Sequence, residues 1–585
     1  MQPYRKLTKH SVGLGKPDLD FDSKLSVLLE VSIVDLPMRR LRELPGDLDK
    51  FVIVDGLNEV SGEETTRKIV ETLDQYVREA APNVRVLVTD RMASRAVFEH
   101  KWEKATLNPL STGEVRARVD ERFGGGAFEK LNAQERTLLQ RPFFLQRALD
   151  SSSPELGSAA RALQSFFEDT LDIRAEPLDN LAEAAYVAYR DEQSASFDLE
   201  QFRQRVGAQI WSRLTEASVI KESSADSAQF DHQLQHDFLA SRYVARDGWD
   251  AGAFDAITFQ TNSYEPLSLI LEQLPDTSRG EEFLRCVYDW NWGAAVFCIG
   301  ESANASKSHH TPEIESAILC VSSEKLFDPI PGSRKHFTEQ LSAFPPEIAE
   351  KYKSVVSLNE LFDLANGVES SRTWFIAWRE LFTRYGTPPM REDEIARILD
   401  QDPITGWTAA NVIKRFTHTQ SSLMEEDLRQ LRAYFEARCG DGILDSTIRW
   451  RVVHALGSFD TPANASLLFH ALDTDTYHWT RYGAARSLME IAASTKEPGL
   501  RARIVAGLTD RLAALPPKIL SQIARVANHR DAPPTWKDDL RPLLDAARKL
   551  EKRDPTRESW TPRLVQTLEN ICEQTPPQTT PLISR

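Results

Sequence analysis

Two apolar runs with charged ends constrain this chain more than anything else in it. The first is Phe51-Val52-Ile53-Val54-Asp55-Gly56-Leu57-Asn58-Glu59 and the second is Val84-Arg85-Val86-Leu87-Val88-Thr89-Asp90-Arg91. β-Branched and aromatic residues in a near-continuous run suit strands buried on both faces of a parallel sheet. Residues 63–80 between them read as a polar helix ending at Ala81-Pro82-Asn83. Strand, helix, strand in that order predicts parallel neighbours joined by a right-handed crossover. Both polar tips then fall on the edge where open α/β sheets bind ligands. The first run has the pattern of a Walker B strand, with Asp55 placed to hold the Mg²⁺ of a nucleotide and Glu59 to orient an attacking water. An ordinary strand followed by an acidic helix cap has the same letters, so the motif alone leaves both readings open. No G-x-x-x-x-G-K-[ST] loop precedes it: Gly13-Leu14-Gly15-Lys16-Pro17 offers a Lys but sets Pro where a Mg²⁺-binding hydroxyl belongs.

A chain of 585 residues exceeds what one core can serve, so three or more packing units are expected. Its formal charge of -16 argues against nucleic acid as the partner of the whole surface. No segment reaches the roughly 18 consecutive apolar residues of a membrane span, and the polar start lacks a secretory apolar core. Cys286, Cys298, Cys320, Cys439 and Cys572 are widely spaced without a C-x-x-C pair, which fits reduced thiols. A cytoplasmic location is the resulting expectation.

Residues 1–24 lack apolar periodicity and read as an irregular start, and 25–34 as a strand or short helix. Ser111-Thr112-Gly113-Glu114 is a capping box that opens a helix, and Gly124-Gly125-Gly126 breaks it before a restart near Arg141-Pro142. Further helices are expected over 158–189 and 197–214. Val219-Ile220, a polar turn and Gln229-Phe230-Asp231-His232 read as a two-stranded wing, after which helix resumes at Gln233. Beyond Trp249 strand signals are scarce and helix follows helix, the pattern of an all-α solenoid. Arg449-Trp450-Arg451-Val452-Val453-His454-Ala455-Leu456 matches Arg481-Tyr482-Gly483-Ala484-Ala485-Arg486-Ser487-Leu488 at a shift of 32 residues, with small residues that let helices stack closely. Asp473-Thr474-Asp475 reads as an inter-helix turn, and the Pro-rich residues 574–585 as a disordered tail.

Four motifs in fixed order resemble a NACHT-type signal-transduction NTPase of the STAND class: the run at 51–59, the strand ending Thr89-Asp90-Arg91, the pair Leu107-Asn108-Pro109-Leu110-Ser111 and Arg141-Pro142-Phe143-Phe144-Leu145, and Phe230-Asp231-His232-Gln233-Leu234-Gln235-His236-Asp237-Phe238-Leu239-Ala240. The resemblance covers about residues 25–246. It implies a multidomain α/β plus all-α chain, divided into a partial parallel-sheet P-loop NTPase core (25–108), a small helical domain (109–170), a winged helix (171–248), a helical linker or solenoid (249–400) and HEAT-like repeats (401–573). By the same resemblance Asp55 binds Mg²⁺, Glu59 supports hydrolysis, Arg91 senses the γ-phosphate, Pro142 packs near adenine and His232 touches the β-phosphate of ADP. ATP or ADP with Mg²⁺ is the implied cofactor. The implied function is regulatory signalling, defence among its family roles, with a protein ligand read by the repeats and a homo-oligomer as the activated form. Asn58 departs from the family's usual Asp, and the missing phosphate loop leaves two expectations: a chain that begins too late, or a degenerate switch. A non-catalytic HEAT-repeat scaffold and a weak Mg²⁺-dependent ATPase are the alternatives.

Overall fold

The computed structural model describes residues 111–192, 195–222, 226–259, 263–302, 309–327, 331–344, 346–354, 402–419, 425–439, 446–527, 532–553 and 560–573, with short pieces at 5–7, 28–30, 50–54, 84–89 and 108–110 and isolated positions elsewhere. Within these the chain is mostly helical. β1 (Arg5–Leu7) pairs antiparallel with β2 (Leu28–Glu30), so strand pairing reaches into the start expected to be irregular. β3 (Lys50–Val54) and β4 (Val84–Val88) pair in parallel, Val54 opposite Val88. The described positions between them, including buried Val70 and Leu73, are helical, which gives the expected strand, helix, strand order. Among the described residues the parallel sheet is this pair alone, and no parallel P-loop core is shown.

Contacts divide the chain into two compact units. One comprises Met1–Val287, Asn291–His310 and Asp328–Lys353, the other Tyr288–Trp290, Thr311–Phe327 and Ser354–Arg585.

In the first unit the capping box forms as its letters require. Ser111 Oγ accepts from the Glu114 amide at 3.3 Å, and the Ser111 amide donates back to the Glu114 carboxylate at 2.9 Å. The Ser111 hydroxyl, which donates to the Glu114 carboxylate at 2.7 Å, and then the Ser111 amide hold that carboxyl below its ordinary range. The helix they start, α1 (Thr112–Phe123), stops at Gly124, whose φ of 99° a side chain would resist. α2 (Ala133–Leu138), α3 (Pro142–Asp150), α4 (Ala159–Ser165) and α5 (Glu176–Glu192) follow.

The helical unit expected over 158–189 comprises two helices. A π turn at Phe166–Thr170 ends the first, and Asp172 and Ala175 adopt left-handed φ values of 52° and 50°. The break lets Leu171 and Ile173 turn into the core, while Arg213 donates to the Leu171 carbonyl at 3.3 Å. The expectation for 197–214 is corrected in a similar way. β5 (Ser196–Asp198) precedes α6 (Leu199–Val206) and α7 (Ala208–Glu216), which Gly207 separates. The wing strands β6 (Ile220–Glu222) and β7 (Ser227–Phe230) pair antiparallel as expected, and β5 adds a third strand in the order β5-β7-β6.

α8 (Gln233–Asp247) then runs through the middle of the unit, packed on α5 and on α10 (Glu265–Gln273) beyond the short α9 (Ala251–Ile257). Phe144, Phe167, Phe197, Phe202, Phe230 and Phe238 form its core with Leu178, Leu181 and Leu214. α11 (Thr277–Trp290) and α12 (Trp292–Ser302) come next in the chain, followed by α13 (Pro312–Ser323) in the second unit and α14 (Pro331–Gln340) and α15 (Pro346–Lys353) in the first.

The second unit continues with α16 (Pro403–Thr419), α17 (Glu425–Arg438), α18 (Ser446–Leu456), α19 (Pro462–Thr474), α20 (His478–Ser494), α21 (Pro498–Arg511), α22 (Pro517–Ala527), α23 (Trp536–Asp539), α24 (Arg541–Arg553) and α25 (Trp560–Glu573). Alternate helices pack in two rows, α16 on α18 on α20 on α22, and α17 on α19 on α21 on α24. Most helices thus bury an apolar face against the helix two places on, and α21 reaches past the short α23 to α24, as stacked repeats require. Trp450 of α18 stacks on Trp479 of α20 at 4.6 Å. Gly483 lies so close that a Cβ there would meet Trp450 Cδ1 at 2.6 Å, so the small residue of the repeat is a steric requirement.

Asp475 does more than turn the chain. It follows α19 as its C-cap and accepts from the Tyr477 amide at 2.8 Å. Buried beside Arg449, it approaches that guanidinium at 3.3 Å. Asp475→Ala should destabilise the protein by about 3–5 kcal/mol, because it takes the charge partner from a buried guanidinium. Urea denaturation followed by tryptophan fluorescence measures this, and a loss below about 1 kcal/mol would be the value of a surface pair instead.

Candidate functional site

Of the five residues singled out in the sequence, Asp55, Glu59 and Arg91 lie outside the described residues. The strands that precede them are in register, so the last residues of β3 and β4, Val54 and Val88, sit side by side at one end of the pair. Pro142 and His232 are described, and the fold brings their elements together.

His232 directly follows the β7–Asp231 turn and is the N-cap of α8, in extended conformation with φ −130° and ψ 123°. Its Nδ1 accepts from the Leu234 amide at 3.4 Å, so the neutral ring carries its proton on Nε2. Pro142 takes the first position of α3, where its missing N–H costs nothing. The next residue, Phe143, lies against the imidazole, with ring centres 4.2 Å apart. α3 and the N-terminus of α8 therefore meet through an aromatic contact one residue from Pro142.

Charged groups flank this contact on α3. Arg141, the N-cap, reaches two carboxylates: its Nη1 lies 3.5 Å from Glu265 of α10, and its Nη2 donates to Glu301 of α12. Glu265 chiefly, with Glu301, raises the Arg141 pKa above the ordinary arginine range against the effect of burial. A second carboxylate of α10, Glu272, accepts from the Ala160 amide at the start of α4 at 2.8 Å. Burial pushes its carboxyl up. Arg147, one turn after Phe143, spreads its guanidinium over Phe166 at 3.9 Å and over Phe143 at 5.5 Å.

Behind His232 stands a polar cluster that sequence reasoning missed. His236, fully enclosed, bonds the Ala185 carbonyl at 2.9 Å, and its ring centre lies 3.6 Å from that of Tyr189. Tyr189 donates to Asp237 at 2.7 Å. Burial lowers the His236 pKa from 6.5 to about 3, so its imidazole is neutral and structural. The signal available in the sequence was helical spacing: His236 is one turn after His232, on the face of apolar Leu239 and Ala240. Arg141 carried no such signal, since Glu301 is 160 residues away in sequence.

No family model matches this chain, and no curated protein matches it.

The lowered pKa of His236 has a definite sign. The unfolded state takes up a proton near pH 6.5 that the native state refuses until about 3, so stability is lost as pH falls through that window. In His236→Gln this loss should be smaller by one proton's slope between pH 7 and 5. Equal slopes of unfolding free energy against pH in both proteins would contradict a buried neutral imidazole.

Proposed function

We propose that the chain is a NACHT-like regulatory protein of the STAND class, in which a nucleotide contacts the Pro142 end of α3 and His232 while stacked helices recognise a protein ligand. The observation that carries this reading is the contact of Phe143 with His232 at 4.2 Å, because it joins two motifs that the sequence separates by about ninety residues. The parallel register of β3 and β4 agrees with it, since ligands of open α/β sheets sit at the carboxyl ends of their strands. The order α5, β5, α6, α7, β6, β7 is that of a winged helix, and alternate packing from α16 to α25 is that of an α-solenoid with HEAT-like pairs.

The residues around Phe143 suit an anionic ligand. His232 touches this aromatic ring and Arg147 brings a cation to it. A nucleotide so held would tie α3 to α8. A protein bound by the solenoid shifts the switch only if it prefers the state in which that tie is broken. Oligomers of the released form complete the proposed signal.

A second reading is favoured by the second unit alone. Its two rows of alternate helices form the extended surface that repeat scaffolds offer to proteins, with no nucleotide needed. Among the described residues no helix is long and apolar enough to cross a membrane, and both readings are compatible with that.

Nucleotide binding separates the two readings. ADP at a hundredfold its dissociation constant should stabilise the native state by about 2.7 kcal/mol. Differential scanning fluorimetry with ADP or ATP, with and without Mg²⁺, should show the melting temperature rising with nucleotide. An unchanged melting temperature at millimolar nucleotide leaves the scaffold reading alone.

A further inference from the structure

Arg147 is a half-buried cation without a counter-ion. Among the described residues it makes no ion pair and no hydrogen bond, and its contacts are the faces of Phe166 and Phe143. The acidic groups that act on it are already engaged. Asp231 is paired with Lys221, and Asp150 accepts from Gln146 Nε2 at 2.9 Å. Partial burial holds the Arg147 pKa below the ordinary arginine range. Its neighbour on α3 makes the contrast plain, since Arg141 has two carboxylates to itself. A guanidinium that gives up hydration without gaining an anion is costly, and it becomes favourable when a ligand supplies the charge.

The ring it covers is the one that His232 touches. Phe143 thus has Arg147 at one contact and the His232 imidazole at another. Phe143 and Arg147 are four residues apart on one helix, so they share a face and the guanidinium is carried by a rigid element rather than a loop.

We propose that Arg147 is a phosphate-binding residue which, together with His232 across the Phe143 ring, takes the diphosphate group of the nucleotide. This rests on the nucleotide reading for its ligand, and it adds a residue that no motif in the sequence singles out. A planar guanidinium can give two parallel N–H donors to one phosphate.

Isothermal titration of the full chain with ADP, with inorganic pyrophosphate and with adenosine tests this. Arg147→Met keeps an apolar stem over Phe166 and removes the charge. Arg147→Lys keeps a charge and removes the fork, so at least one variant should remain folded by circular dichroism. ADP and pyrophosphate should each bind at least tenfold more weakly to Arg147→Met and to an intermediate degree to Arg147→Lys, with adenosine affinity unchanged. ADP binding equally well to wild type and to both folded variants overturns the role of Arg147 and leaves the nucleotide reading standing. Pyrophosphate binding that depends on Arg147 while ADP and adenosine fail to bind supports the anion site and removes the nucleotide. Failure of the wild type to bind either phosphate compound overturns both.

Discussion

A helix enclosed on nearly every side must find partners for its polar side chains in its neighbours, and α8 imposes that requirement on the first unit. Phe238, Leu239, Ala240 and Val244 are buried, but so are Gln235, His236, Asp237 and Ser241. α5 answers part of this demand: Ala185 accepts from His236 and Tyr189 donates to Asp237, while Ser241 donates within α8 and Asp179 takes Arg242 at 2.9 Å. Left unsatisfied, each such group would cost about 1–3 kcal/mol, so these bonds tie the two helices together. His232 is fixed as a result. It begins the most constrained helix of the unit, directly after a paired strand, and its position is set by the core.

α3 is the opposite case. Its apolar side, Phe144, Leu145 and Ala148, is buried, yet its N-terminus is held by charge. Arg141 spans to α10 and α12, and Glu272 of α10 secures the start of α4. Such contacts break more readily than packed aromatics when one partner gains a competing ligand. The candidate site therefore joins a rigid side, β7 and α8, to a side whose attachments are partly ionic.

Local rules were legible in the sequence. The Ser111–Glu114 capping box, the stop at Gly124, the paired strands at 50–54 and 84–88 and the wing strands follow from short-range chemistry, and they form where the letters indicate. What the sequence concealed depends on distant partners. β5 is three residues long and exists because β7 pairs with it, so no run of β-formers announced it. The break at 171–175 places Leu171 and Ile173 in a core that the local helical pattern does not encode. Asp475 looked like any turn carboxylate until Arg449 was found beside it. Within the candidate site, Pro142 and His232 came from motifs, whereas Phe143, Arg141 and Arg147 matter for where they lie in space. The carboxylates Asp55 and Glu59 and the cation Arg91 fall outside the described residues, so the sequence remains their whole account.

The central claim is that a ligand phosphate joins α3 to the start of α8. Hydrogen–deuterium exchange of the full chain with and without saturating ADP measures this at peptide level. Slowed exchange confined to peptides covering 141–150 and 230–236, with 446–494 unchanged, is the expected result. Protection confined to other regions, or none at saturation, would contradict it.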